Sequence, residues 1–172
     1  ASGKGERIGP TRFFKTAPPQ DELCNVRFAV ITGQGYQTRD SDRGHHAYLA
    51  MDELGIDFIA LTGDTVYYDG PAGGIPKSLW PPDVESPREV HRAVLKMLRD
   101  MTDHEAVLWL RKHWHAMYAL PIQREFFGKC AGYWEVDDHE YRYNDCDNTG
   151  DKLPSARLGQ KNFREQLPVT DP

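Results

Sequence analysis

Two short stretches carry most of the residue types that could do chemistry, Gly63-Asp64-Thr65-Val66-Tyr67 and Asp137-Asp138-His139-Glu140. Each directly follows an apolar run that reads as a strand, and a third polar turn, Gly33-Gln34-Gly35, follows another. Carboxylate oxygens suit hard cations, imidazole suits transition ions, and a phenolate can join them. Asp64, Tyr67, Asp137, Asp138 and His139 therefore form a candidate metal site. A bound cation would offset the repulsion between these carboxylates. Arg142 is a candidate phosphate clamp, because a guanidinium grips phosphate oxygens with two prongs; an ion pair with Asp137, Asp145 or Asp147 is the competing reading. Asp145 and Asp147 alternate with Asn144 and Cys146 and suit either a calcium ion or the cap of a turn.

These residues need a frame that brings them together. Val26 to Thr32 is apolar and β-branched, as expected of a buried strand, and Ile56 to Thr62 repeats the pattern. Between them, His45 to Leu54 has helical apolar spacing closed by Gly55. Strand, helix and strand in that order predict a βαβ unit and a parallel sheet. In such a sheet the carboxyl ends of the strands share one edge where ligands bind, so the three polar turns are expected to meet. Tyr67 to Asp83 reads as a long loop. A helix opens at Ser86-Pro87 with Val90, Val94, Met97, Leu98 and Met101 on one face. Thr102 and Glu105 form a capping box for a second helix through Tyr118, stopped by Pro121. Gly132 to Val136 is the next strand, the loop from Asp137 follows, and Ser155 to Gln166 reads as a last helix with weak sidedness.

Tyr68 is expected to be a packing aromatic, His45 and His46 a helix cap or exposed pair, and Trp109, His113, Trp114, His115 and Tyr118 core with a polar rim. Cys24, Cys130 and Cys146 make no metal or dense disulfide pattern, so free thiols are expected, with a Cys130 to Cys146 bridge as the alternative. A net charge of -5 in 172 residues gives no electrostatic reason to expect a nucleic-acid or membrane-surface partner. Residues 1–24 read as an extended lead-in and residues 25–172 as the body of one domain.

The two stretches also carry a resemblance. Gly63 to Tyr67 matches the G-D-x-x-Y of the metallophosphoesterases in the form found in purple acid phosphatases. Asp137 to Glu140 resembles the D-D-H-[DE] of the PhoD-like alkaline phosphatase and phosphodiesterase family. QGYQ at Gln34 to Gln37, HHAYLAMDELGIDF at His45 to Phe58, WHAMYALP at Trp114 to Pro121, and GYWEVDDHEYRYNDCD at Gly132 to Asp147 look similar too. The resemblance implies an α/β fold, the parallel-sheet part of a four-layer αββα sandwich with a helical insertion. It implies Asp64 as a bridging metal ligand, Tyr67 as a ligand to ferric iron, and Asp138 as a ligand to the second metal. His139 would bind phosphate and assist the leaving group, and Asp137 would serve a neighbouring cation. The implied metals are two or more ions, iron with calcium, with zinc or manganese in relatives. The implied reaction is in-line hydrolysis of phosphate mono- or diesters on a small-molecule substrate, in a periplasmic or secreted protein.

This sequence departs from that pattern in two places. Gly33 stands where the family has a cysteine ligand, and no G-H-x-H motif occurs. The chain is accordingly read as the N-terminal part of a site completed by a continuation or a second chain. The alternatives are a degenerate, non-catalytic metal-binding or interaction module, a sulfate-ester or phosphonate hydrolase on the same scaffold, and a calcium-binding structural domain.

Overall fold

Strand-forming residues at Phe28–Ile31 (β1), Phe58–Leu61 (β2) and Ala131–Trp134 (β3) pair in the order β1-β2-β3, both ladders parallel. The computed structural model describes residues 11–13, 15–70, 76–150 and 154–167; the first part of the lead-in, the middle of the expected long loop and the last five residues lie outside them. The first crossover contains helix α1 (Ala47–Glu53), and Gly55, at φ +61, ends that element as the sequence pattern predicts. Helices α2 (Pro87–Asp100), α3 (Asp103–Tyr118) and α4 (Pro121–Phe126) lie between β2 and β3, followed by α5 (Asp138–Tyr141) and α6 (Ala156–Gln166). No described helix is long and apolar enough to cross a membrane.

Three elements depart from expectation, each for a local reason. Pro121 does stop α3, yet it also opens α4: at the first helical position its missing N–H costs nothing. The stretch from Asp137, expected as a loop, contains one helical turn, since Asp137 and Glu140 cap each other's backbone groups reciprocally. Helix α6 is strongly sided, burying Leu158, Gly159, Asn162 and Phe163. Asn162 breaks an apolar pattern without leaving the core, which hides the stripe from a hydropathy reading.

Among the described residues one face of the sheet is well covered and the other is largely open. Ile59 and Leu61 are sealed against Tyr48, Ile122 and Phe126, with Ala29, Ile31 and Trp134 completing that layer. A second core, built on Val90, Val94, Leu98, Leu110, Trp114 and Met117, holds the helices together. On the opposite face Phe28, Val30 and Tyr133 are 55%, 58% and 62% exposed, which corrects the expectation that the first strand is buried on both sides. Phe28 stacks on Phe58 at 5.1 Å and Phe58 meets Tyr133 edge-on at 5.4 Å, so an aromatic stripe crosses all three strands. Exposed apolar stripes of this kind are surfaces at which proteins meet partners or ligands. All three cysteines are free, so the alternative Cys130 to Cys146 bridge is absent.

Candidate metal centre

The parallel register delivers the three polar turns to one sheet edge, as the strand order requires. Their backbones then interlock. Gly33 N–H donates to the Gly63 carbonyl at 3.3 Å, and Gln34 N–H donates to the Asp64 carbonyl at 2.8 Å. On the other side Gly63 lies against Asp137 so closely that a Cβ there would stand 2.3 Å from the Asp137 Cβ. Asp64 itself has φ +54, a conformation that a non-glycine residue rarely holds without a reason.

Asp64, Asp138 and His139 come together: one ligand atom from each lies within 4.8 Å of the others. Tyr67 joins them, its hydroxyl donating to Asp64 Oδ2 at 3.0 Å and its ring lying 4.3 Å from that of His139. Asp64 Oδ1 is buried and has no hydrogen-bond partner among the described residues. A carboxylate oxygen in that state is costly unless a cation meets it. Burial and the neighbouring Asp137 and Asp138 push the Asp64 carboxyl up, against the Tyr67 hydrogen bond and the charge of His139. Burial likewise raises the Tyr67 phenol, with Asp64 adding to the effect. For His139 burial acts downward, but the hydrogen bond and charge of Asp69, with Asp138 and Asp64, outweigh it and raise the imidazole. These neighbours favour a proton on the ring, as a cation set among the same carboxylates would be favoured.

Two residues singled out from the sequence have different places. Asp137 is the N-cap of α5, accepting from Asp138 N–H at 2.9 Å, and it lies outside the three-residue cluster. Its Cβ packs against Gly63, and its charge adds to the field at Asp64. Arg142 is fully buried and donates to the carbonyls of Asp147, Thr149, Gly150 and Pro154. Its guanidinium therefore organises the loop after α5, and this corrects the phosphate-clamp reading. Neither Asp145 nor Asp147 joins the cluster: Asp145 N–H donates to Asp138, and Asp147 caps Thr149. A cavity of about 600 Å³ lined by Trp134, Val136, Tyr141 and Phe163 follows β3 but includes none of the cluster residues.

Sequence reasoning missed Asp69 and Glu140. Asp69 is sealed from solvent and both its oxygens lie 2.9 Å from His139 Nδ1. The signal was the acidic residue two positions beyond Tyr67. Glu140 is also sealed; Oε1 accepts from Asp137 N–H at 2.8 Å while Oε2 has no partner. Burial pushes its carboxyl up to about 7 from 4.5. A carboxyl raised in this way favours the folded state fully below its unfolded value and progressively less as pH climbs from there to about 7. Metal-free protein should thus lose about 2 kcal/mol of stability between roughly pH 5 and pH 8 through this group alone. In Glu140→Gln that decrement should vanish. Denaturant melts at the two pH values check it, and equal pH slopes for the two proteins would refute it.

No family model matches the chain, and no curated protein or solved structure matches it.

Proposed function

We propose that this chain carries half of a metal centre for hydrolysing phosphate mono- or diesters at alkaline pH, of the PhoD-like metallophosphoesterase type. The observation that carries the reading is the convergence of Asp64, Asp138 and His139 from two separate sheet-edge loops, with a buried Asp64 oxygen lacking any hydrogen-bond partner among the described residues. The spacing of the two sequence motifs supports it independently. So does the open apolar sheet face, the kind of surface a second sheet covers in a four-layer sandwich.

Asp64, Tyr67, Asp138 and His139 would hold the ions, with iron and calcium the first choice and zinc or manganese the others. Bound there, such ions activate water and neutralise phosphoryl oxygens. The protein's own contributions are distinct. Asp64 and Asp138 concentrate negative charge where a cation must sit, and the covering side chains keep the cluster half-buried, which strengthens every charge interaction in it. Tyr67 holds Asp64 Oδ2 in place through its hydroxyl. His139 keeps a ring nitrogen beside the carboxylates as the nitrogen ligand of this set, in place of the phosphate contact that the resemblance implies. Four donor residues fall short of two full coordination shells, so further ligands come from residues outside this set. Gly33 leaves room for one: a Cβ built there would stand 3.6 Å from the Tyr67 hydroxyl. The family's export habit makes the periplasm or the exterior the proposed location.

The test is elemental analysis and thermal melting of the purified chain with and without iron, zinc, manganese or calcium, followed by assays on p-nitrophenyl phosphate and its bis ester. Near-stoichiometric metal with a raised melting temperature supports the metal centre, and hydrolysis supports the phosphoesterase reading. Metal without turnover favours a non-catalytic metal-binding module, which the engagement of Arg142 by carbonyls also favours. Failure to take up any metal overturns the proposal.

A further inference from the structure

Asp69 is a carboxylate held at both oxygens beside the site. It is sealed from solvent. Both of its oxygens lie 2.9 Å from His139 Nδ1, and Asn144 N–H donates to Oδ2 at 2.8 Å. Its backbone is fixed as well. The Asp69 carbonyl lies 2.8 Å from His91 Nδ1, and the preceding Tyr68 carbonyl accepts from Trp109 Nε1 at 2.8 Å. His91 belongs to α2 and Trp109 to α3, so the helices inserted between β2 and β3 brace the segment that carries Asp69.

A carboxylate only accepts hydrogen bonds, whereas a neutral imidazole donates from one nitrogen and accepts at the other. Contact with Asp69 therefore requires the proton on Nδ1 and leaves the lone pair on Nε2. Histidines that meet metals or phosphates are commonly oriented in this way by a buried acceptor on the other nitrogen. We propose that Asp69 is a positioning residue that fixes His139 as the Nδ1–H tautomer with Nε2 turned to the Asp64 and Asp138 carboxylates, and that α2 and α3 exist in part to hold it there. The tautomer does not depend on the metal reading; its effect on metal affinity does.

Asp69→Asn separates this role from mere packing. Asparagine has the same shape but a single oxygen. That oxygen is demanded at the Oδ2 position by Asn144 N–H, which leaves the NH₂ group facing His139 Nδ1. Both wild-type oxygens lie 2.9 Å from Nδ1, so the NH₂ group at the Oδ1 position stands against the Nδ1 proton, which favours moving that proton to Nε2 and removing the lone pair from the site. Long-range proton–nitrogen NMR spectra of metal-free, ¹⁵N-labelled protein above the imidazole titration range read the tautomer directly, with the His139 signal identified by its loss in His139→Gln. The wild type should show Nδ1–H and Asp69→Asn should show Nε2–H. Zn²⁺ titration should then show affinity about 10–100-fold weaker in the variant. A wild-type spectrum with the proton on Nε2 overturns the proposal by itself, even if the variant does not fold. An unchanged tautomer in folded Asp69→Asn overturns it too. If the wild type shows Nδ1–H but takes up no Zn²⁺, the metal centre fails while the positioning role stands.

Discussion

Asp64→Asn should leave the metal-free protein at least as stable as the wild type and abolish the rise in melting temperature that a saturating cation produces. Asparagine is the apt replacement, because the site holds residue 64 at φ +54 and asparagine tolerates that region better than almost any other side chain with a β-carbon. Its amide oxygen still accepts from the Tyr67 hydroxyl, so the local hydrogen bond survives. What disappears is a buried negative charge that burial and two neighbouring carboxylates already disfavour. Removing it relieves repulsion among the carboxylates when no cation is bound. A cation at a hundred times its dissociation constant adds about 2.7 kcal/mol to the stability of the wild type. For a domain of this size that is roughly 5–10 °C. The neutral amide is a poor ligand for a hard or borderline cation, so the variant should lose this shift. Thermal melts with and without metal decide it. A variant that keeps the metal-induced shift would mean that Asp64 is not a ligand, and one destabilised without metal would mean that its charge has a structural partner.

The parts of this molecule that could be read from the sequence are those in which one local pattern has one outcome. The β-branched run at Phe28–Ile31, the apolar run at Phe58–Leu61 and Gly55 between them give strand, helix and strand, and the parallel ladder follows because no hairpin connects them. The meeting of Asp64 with Asp138 and His139 follows in turn, since all parallel strands end at one edge. What could not be read depends on what lies opposite. An arginine in an acidic loop has the same sequence appearance whether it faces phosphate or its own loop's carbonyls, and Arg142 does the second. Asp137 and Asp138 are adjacent and chemically identical, but the helical turn points one back as a cap and leaves the other in the cluster. Asp69 reaches His139 across 70 positions of chain, a pairing that only the packing of the loop after β2 on the turn of α5 creates. The exposed face of β1 is the converse case: Phe28 and Val30 have the character of a buried strand, and nothing in this chain's described residues seals them.

Gly63→Ala should cost roughly 2–6 kcal/mol of folding stability and weaken metal uptake even in the molecules that remain folded. Two effects add. Gly63 sits at φ +98, where a side chain strains the backbone by about 1–3 kcal/mol. Its new Cβ would also stand 2.3 Å from the Asp137 Cβ and 3.1 Å from Asp137 Oδ2, and overpacking of this kind costs typically 1–3 kcal/mol more. The clash cannot be relieved by a flexible tip, because Asp137 is pinned at its N–H by Glu140 and at its carboxylate by the α5 backbone. The loop after β3 must therefore move as a body, carrying Asp138 and His139 away from Asp64. Stability and metal affinity should consequently fall together, in contrast to Asp64→Asn, where affinity falls alone. A denaturant melt and a Zn²⁺ titration on Gly63→Ala measure both. If stability drops while affinity is unchanged, the close approach of the two loops is a packing requirement of the sheet edge and not the device that sets the distance between Asp64 and its partners.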